Sequence, residues 1–218
     1  MGKPKPKDSA TEARWPAAIA VIGLGGSSLA LPDDMIPGPR WLVPIVILLL
    51  LIPTTLAHRR GRHKVDMVLG YAISVIVTLA LVASLASFLR LVGSRSAPEL
   101  LKAAAILWIT NILVFALWYW RLDAGGPHAR EARTEGHTAG AFLFPQMTIS
   151  GPASREPNGS PWSPEFIDYL FLAFNTSTAF SPTDVPPLSP VAKLAMMLQS
   201  IISLATVVVL AGRAVNIL

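Results

Sequence analysis

What most constrains this chain is the spacing of its uncharged apolar runs. They cover 15–31, 41–57, 67–92, 98–122 and 188–218, and their middles carry no Asp, Glu, Lys or Arg. A bilayer core about 30 Å thick is crossed by roughly 20 helical residues rising about 1.5 Å each, so runs of this length read as membrane spans. With 52% hydrophobic and 14% charged residues, the 218-residue chain holds more continuous apolar sequence than a soluble core of that size would bury. The expected fold class is therefore all-α integral membrane, with about five transmembrane helices plus one short re-entrant, pore-helix-like segment. The chain contains no cysteine. That excludes a disulfide framework, a thiolate metal site, an iron-sulfur cluster and a cysteine nucleophile together.

The charges outside the runs set the orientation. Lys3, Lys5, Lys7 and Arg14 precede the first run, and Arg59, Arg60, Arg62 and Lys64 separate the second from the third. Basic loops stay cytoplasmic, which puts the N-terminus and the 58–64 loop inside, in a cell (inner) membrane. The four loop cations also suit contact with anionic lipid headgroups. The net charge of +5 does not point to nucleic acid, because the basic residues flank apolar runs instead of alternating with aromatics on a soluble face. A cleaved signal peptide is a competing reading of 3–30, with a charged start, an apolar centre and Ser28-Leu29-Ala30 as the small-residue site.

This divides the chain into a basic tail (1–14), a four-span region (15–122), a polar linker (123–163) and a C-terminal unit (164–218). The linker is rich in Gly, Pro, Ser, Arg and Glu, as solvated loops are. Within it, Phe142-Leu143-Phe144-Pro145-Gln146-Met147 is too short to span and reads as a loop dipping aromatics into the interface. The stretch 166–180 is also too short to cross as a helix, and its Asn175-Thr176-Ser177-Thr178 cluster favours re-entry over an interfacial position. Polar groups at membrane depth must line water or be buried in protein.

Ionisable side chains mark the pathways of proton-coupled carriers, and their absence from the run middles counts against such a carrier. Intramembrane hydrolysis is equally disfavoured. It needs a base beside its nucleophile, whereas His58, His63, His128 and His137 all read as loop residues. No enzymatic activity, metal or cofactor is expected. His58 and His63 are five apart among cations that would repel a metal ion.

The most informative stretch runs from Pro164 to Asp184, continues through Pro186-Pro187-Leu188-Ser189-Pro190, and leads into the last run. An aromatic short helix, a Thr-rich turn, an acid, a Pro-rich exit and a long helix together resemble the pore-loop unit of tetrameric cation channels. Aligning Asp184 with the acid that ends the potassium filter sets Thr178 on its first threonine. Ser181 and Thr183 then stand where the filter has glycines, and Pro182 where it has tyrosine. The glycines allow backbone conformations other residues resist, so a potassium-selective filter is not expected. The positive-inside count also puts this loop on the cytoplasmic side, inverted relative to potassium channels.

A second resemblance covers roughly the last hundred residues, through 118–127 (Trp-Tyr-Trp-Arg-Leu-Asp-Ala-Gly-Gly-Pro), 142–146, the Phe-Ser-Pro-Thr-Asp turn at 180–184 and the Arg-Ala-Val-Asn-Ile-Leu terminus at 213–218. These pieces resemble a family of uncharacterised bacterial multi-span membrane proteins, catalogued as a domain of unknown function. The resemblance implies membrane location and the loop-plus-helix unit, and brings no activity with it. Arg121 stands where that family usually has an acidic residue.

On the last helix, Gln199, Ser203, Thr206 and Arg213 share one face. Such a stripe faces either a neighbouring helix, through ordinary hydrogen bonds, or a permeation path. Asp184 likewise reads either as a helix-start residue or as one member of an acidic ring in a homo-oligomer. The permeation candidates are Asn175, Thr176, Thr178, Ser181, Asp184, Gln199, Ser203 and Thr206. The expected function is channel-like passage of a cation or small solute through a homo-oligomer in the bilayer. The alternative is a non-conducting interaction or scaffold protein in which the same segment is a packing plug.

Overall fold

The computed structural model describes residues 12, 14–133, 137, 139–149, 161–178 and 184–215, with the side chains of 58, 59 and 213–215 excepted. Ser181 and the side chains of Arg59 and Arg213 thus lie outside the described residues. The described chain is all-helical, without a strand. Its α-helices are α1 (Trp15–Ala30), α2 (Leu42–Arg59), α3 (His63–Leu91), α4 (Ala97–Leu122), α5 (Pro127–Glu131), α6 (Phe166–Thr178) and α7 (Pro190–Val215). Three of them, α3, α4 and α7, are long and apolar enough to cross a membrane, while α1 and α2 are shorter apolar helices.

Each apolar run became one helix, and the breaks fall where chain chemistry demands them. Pro32 follows α1 after Leu31, Gly61 takes a φ of +66° between α2 and α3, and Pro98 occupies the first turn of α4, where its missing N–H costs nothing. Helices α1 to α4 alternate in direction. The N-terminus of α1, the α2–α3 turn and the C-terminus of α4 therefore share one end, called here the basic end. At the other end Arg95 pairs with Asp34.

Helix α4 is the centre of the packing, in contact with α1, α3, α6 and α7. Leu107, Val114, Phe115, Ala116 and Leu117 of α4 are fully enclosed. Small residues at Ala103 and Ala104 are also fully buried, letting neighbouring backbones approach closely. By contrast α7 leaves a continuous apolar face exposed through Leu194, Met197, Ile201, Leu204 and Val208.

Two details differ from the sequence reading. The segment read as a solvated linker is packed over much of its described length: Asp123, Arg130, Phe142 and Phe144 are all buried. The histidines are not all in loops, since His58 lies in the last turn of α2, His63 opens α3 and His128 lies in α5.

Candidate functional site

The C-terminal unit is built on the parallel pairing of α6 with α7. Gln199 Nε2 donates to the Ala173 carbonyl at 2.6 Å, and Ser203 Oγ donates to the Ser177 carbonyl. Both pairs are separated by 26 residues, so the helices run in the same direction in register. Two consecutive parallel helices require the chain between them to travel back, and the return is anchored. Leu143 N–H donates to the Pro186 carbonyl at 3.0 Å, and Leu188 N–H to the Ala141 carbonyl at 2.8 Å. Residues 186–188 thus lie beside the loop at the basic end, where α6 also begins. The 13 residues of α6 rise about 20 Å, short of a bilayer core.

Asp123 ties both feet of this unit to the end of α4. Its side chain is wholly buried. Oδ1 accepts from Ala141 N–H at 2.5 Å and Phe142 N–H at 3.3 Å, and Oδ2 accepts from the Tyr169 hydroxyl at 2.6 Å. The His137 Nε2 stands 3.0 Å from Oδ2, and its Nδ1 has no hydrogen-bond partner among the described residues. Burial, above all, pushes the Tyr169 phenol well above its ordinary range, opposed by the Arg130 cation and reinforced by the Asp123 carboxylate. The phenol therefore remains a neutral donor. Gly140 permits this closure, since a Cβ there would run into the Asp123 carboxylate and stand 2.8 Å from His137 Nε2.

Arg130 locks the same end from the other side. The turn after α4 holds Ala124, Gly125 and Gly126 at φ of 55°, 84° and 88°, and two of these three left-handed positions are glycines. It swings α5 back so that Arg130 Nη1 reaches the Trp120 and Asp123 carbonyls at 2.8 and 3.0 Å. Nε and Nη2 bind the Glu12 carboxylate at 3.0 to 3.2 Å, so every guanidinium nitrogen is engaged. The guanidinium also lies 5.1 Å from the centre of the Tyr169 ring.

Among the permeation candidates, Gln199, Ser203, Thr206 and Thr176 are buried. Gln199 is the junction. Beyond its bond to α6, its Oε1 accepts from the Tyr119 hydroxyl and its backbone carbonyl from Asn111 Nδ2 at 3.2 Å. Thr206, Thr176 and Thr178 bond back to Ile202, Leu172 and Asn175 carbonyls of their own helices at 2.8 to 2.9 Å. The α7 stripe therefore faces α6 and α4 within one chain. Asn175 is half-buried and Asp184 exposed, two residues before the anchored Pro186. Arg60, Arg62 and Lys64 are exposed at the α2–α3 turn.

Sequence reasoning missed Asp123, Tyr169, Arg130 and Glu12. Asp123 sits within a quoted motif, but nothing local distinguishes it from the first solvated residue after a span. No protein-family model, curated protein or solved structure matches the chain.

Proposed function

We propose that the chain is a multi-pass membrane protein, N-terminus cytoplasmic, with α1, α2, α3, α4 and α7 as spans and α6 as a re-entrant helix. In this reading it works as a channel-like permeation protein for a cation or small solute, as a homo-oligomer. The observation that carries the reading is the parallel α6–α7 pair with its anchored return at 186–188. A half-crossing helix has no use in covering lipid-facing surface, whereas it brings polar backbone to membrane depth beside a long helix. The apolar face of α7 through Leu194, Ile201 and Leu204 would meet the partner copy, and Asp184 would supply the acidic group at the cytoplasmic mouth. The basic loop would meet anionic lipid through Arg59, Arg60, Arg62 and Lys64.

A second reading, a non-conducting scaffold, draws on a specific observation: Gln199 and Ser203 spend their hydrogen bonds on α6 and Tyr119 inside one chain. Flux separates the two. Purified protein in liposomes is expected to pass monovalent cations well above protein-free liposomes. Asp184→Asn with Thr178→Ala is expected to lower that flux severalfold at unchanged protein incorporation. Background flux under several ion gradients, or a monomer in mild detergent, would favour the scaffold.

A further inference from the structure

A cavity of about 560 Å³ opens at the basic end between α1, α2, α3 and the turn after α4. Its inner wall is apolar, with Val21 of α1, Leu51 of α2, and Met67 and Ile73 of α3. Its outer part is charged: Arg14, His63, Lys64, Asp66, Arg121 and His128 all contribute.

Most of these charges are already engaged. Arg14 donates to Asp66 at 2.8 Å and to Glu131 at 3.0 Å, while His128 Nε2 lies 2.5 Å from Asp66 and its Nδ1 is 2.9 Å from His63 Nδ1. Arg121 is different. Its guanidinium makes no hydrogen bond or ion pair among the described residues, and its Nε is enclosed without a partner. It rests against Trp120 and over Gly70, where a Cβ would collide with it. Asp66 lines the same cavity, yet that carboxylate is shared by Arg14 and His128. A buried cation near the end of a long apolar helix needs an anion, and among the described residues no carboxylate is left to pair with Arg121.

We propose that this cavity binds the anionic headgroup of a membrane phospholipid. The phosphodiester accepts a forked pair of hydrogen bonds from Arg121, and one acyl chain runs along Val21, Leu51 and Ile73. The forked guanidinium suits a phosphate oxygen pair, and His63 and Lys64 at the rim add donors that a zwitterionic headgroup would use less well. Basic pockets between helices on the cytoplasmic side are natural seats for such lipids. The volume is within the range of small-ligand sites, enough for the phosphate and the upper part of one chain. The proposal rests on the membrane reading above and is independent of whether the protein conducts.

The test uses the full-length protein in detergent, titrated with phosphatidylglycerol, phosphatidylcholine or inorganic phosphate and read by native mass spectrometry and thermal shift. Phosphatidylglycerol is expected to stay bound and to raise the melting temperature, with phosphatidylcholine and phosphate each at least about tenfold weaker. Arg121→Gln should weaken phosphatidylglycerol by about tenfold, while Arg90→Gln, an exposed cation at the far end of α3, leaves it unchanged. Leu51→Trp, which fills the cavity and keeps every charge, should abolish the preference, and it decides the matter if Arg121→Gln fails to fold. Equal binding of the two lipids, an effect of phosphate matching that of the lipid, or an unchanged Leu51→Trp protein would overturn the proposal. Failure of the membrane reading shows separately, as protein recovered from cells in the soluble fraction without detergent.

Discussion

Asp123→Ala is expected to destabilise the protein by roughly 3 kcal/mol or more, because three buried donors lose their acceptor and each costs about 1–3 kcal/mol when left unmet. The donors are the Ala141 and Phe142 amides and the Tyr169 hydroxyl. Asp123, Phe142 and Tyr169 are all fully buried, so bulk solvent does not reach these donors. The change strikes both feet of the α6–α7 unit at once, so the loss should be visible as a lower melting temperature in detergent and as new proteolysis between 140 and 188. Asp123→Asn keeps an acceptor for the two amides and removes only the one facing Tyr169. It is expected to cost about half as much, and an equal loss in the two variants would mean that the carboxylate charge matters more than the hydrogen-bond count.

Arg130→Ala should cost on the order of 3–5 kcal/mol, the cost of breaking a buried ion pair from one side, and Arg130→Lys should restore only part of it. The reason is geometric. All three guanidinium nitrogens are engaged by Glu12 and by the Trp120 and Asp123 carbonyls, and an ammonium on a flexible stem cannot reproduce that planar fork. The side chain of Arg130 is 1% exposed and that of Glu12 8% exposed, so solvent does not rescue the stranded carboxylate. Chemical unfolding in detergent measures the loss. Glu12→Gln with Arg130→Met should recover part of it, because removing both charges eliminates the desolvation cost of the survivor.

Chain periodicity made the helices legible. The apolar runs at 67–92 and 98–122 became α3 and α4 within a few residues, and the short stretch at 166–180 became α6, ending at Thr178. The α7 stripe was equally readable, because Gln199, Ser203 and Thr206 recur at helical spacing. Its partner was not. A stripe states which face is polar, whereas the acceptors are backbone carbonyls of Ala173 and Ser177, which every residue possesses. The anchor was illegible for a different reason. Asp123 finds Tyr169 at a separation of 46 residues, and Arg130 finds Glu12 at 118, so their burial is decided by how the ends of α1, α4 and α6 converge. Local composition around both reads as a solvated turn. Arg121 is set apart in the sequence only by departing from a resemblance, and no described carboxylate pairs with it because Asp66 is held by Arg14 and His128.

The central claim is that 166–188 enters and leaves on the basic side, and single-cysteine labelling tests it most directly. The chain has no cysteine of its own, so an impermeant maleimide reports only the residue introduced. In oriented membrane vesicles, Glu165→Cys and Leu188→Cys should label from the same side as Gly61→Cys, with Ser94→Cys labelling from the opposite side. Labelling of Leu188→Cys together with Ser94→Cys would mean that α6 crosses the membrane, and the re-entrant account would be wrong.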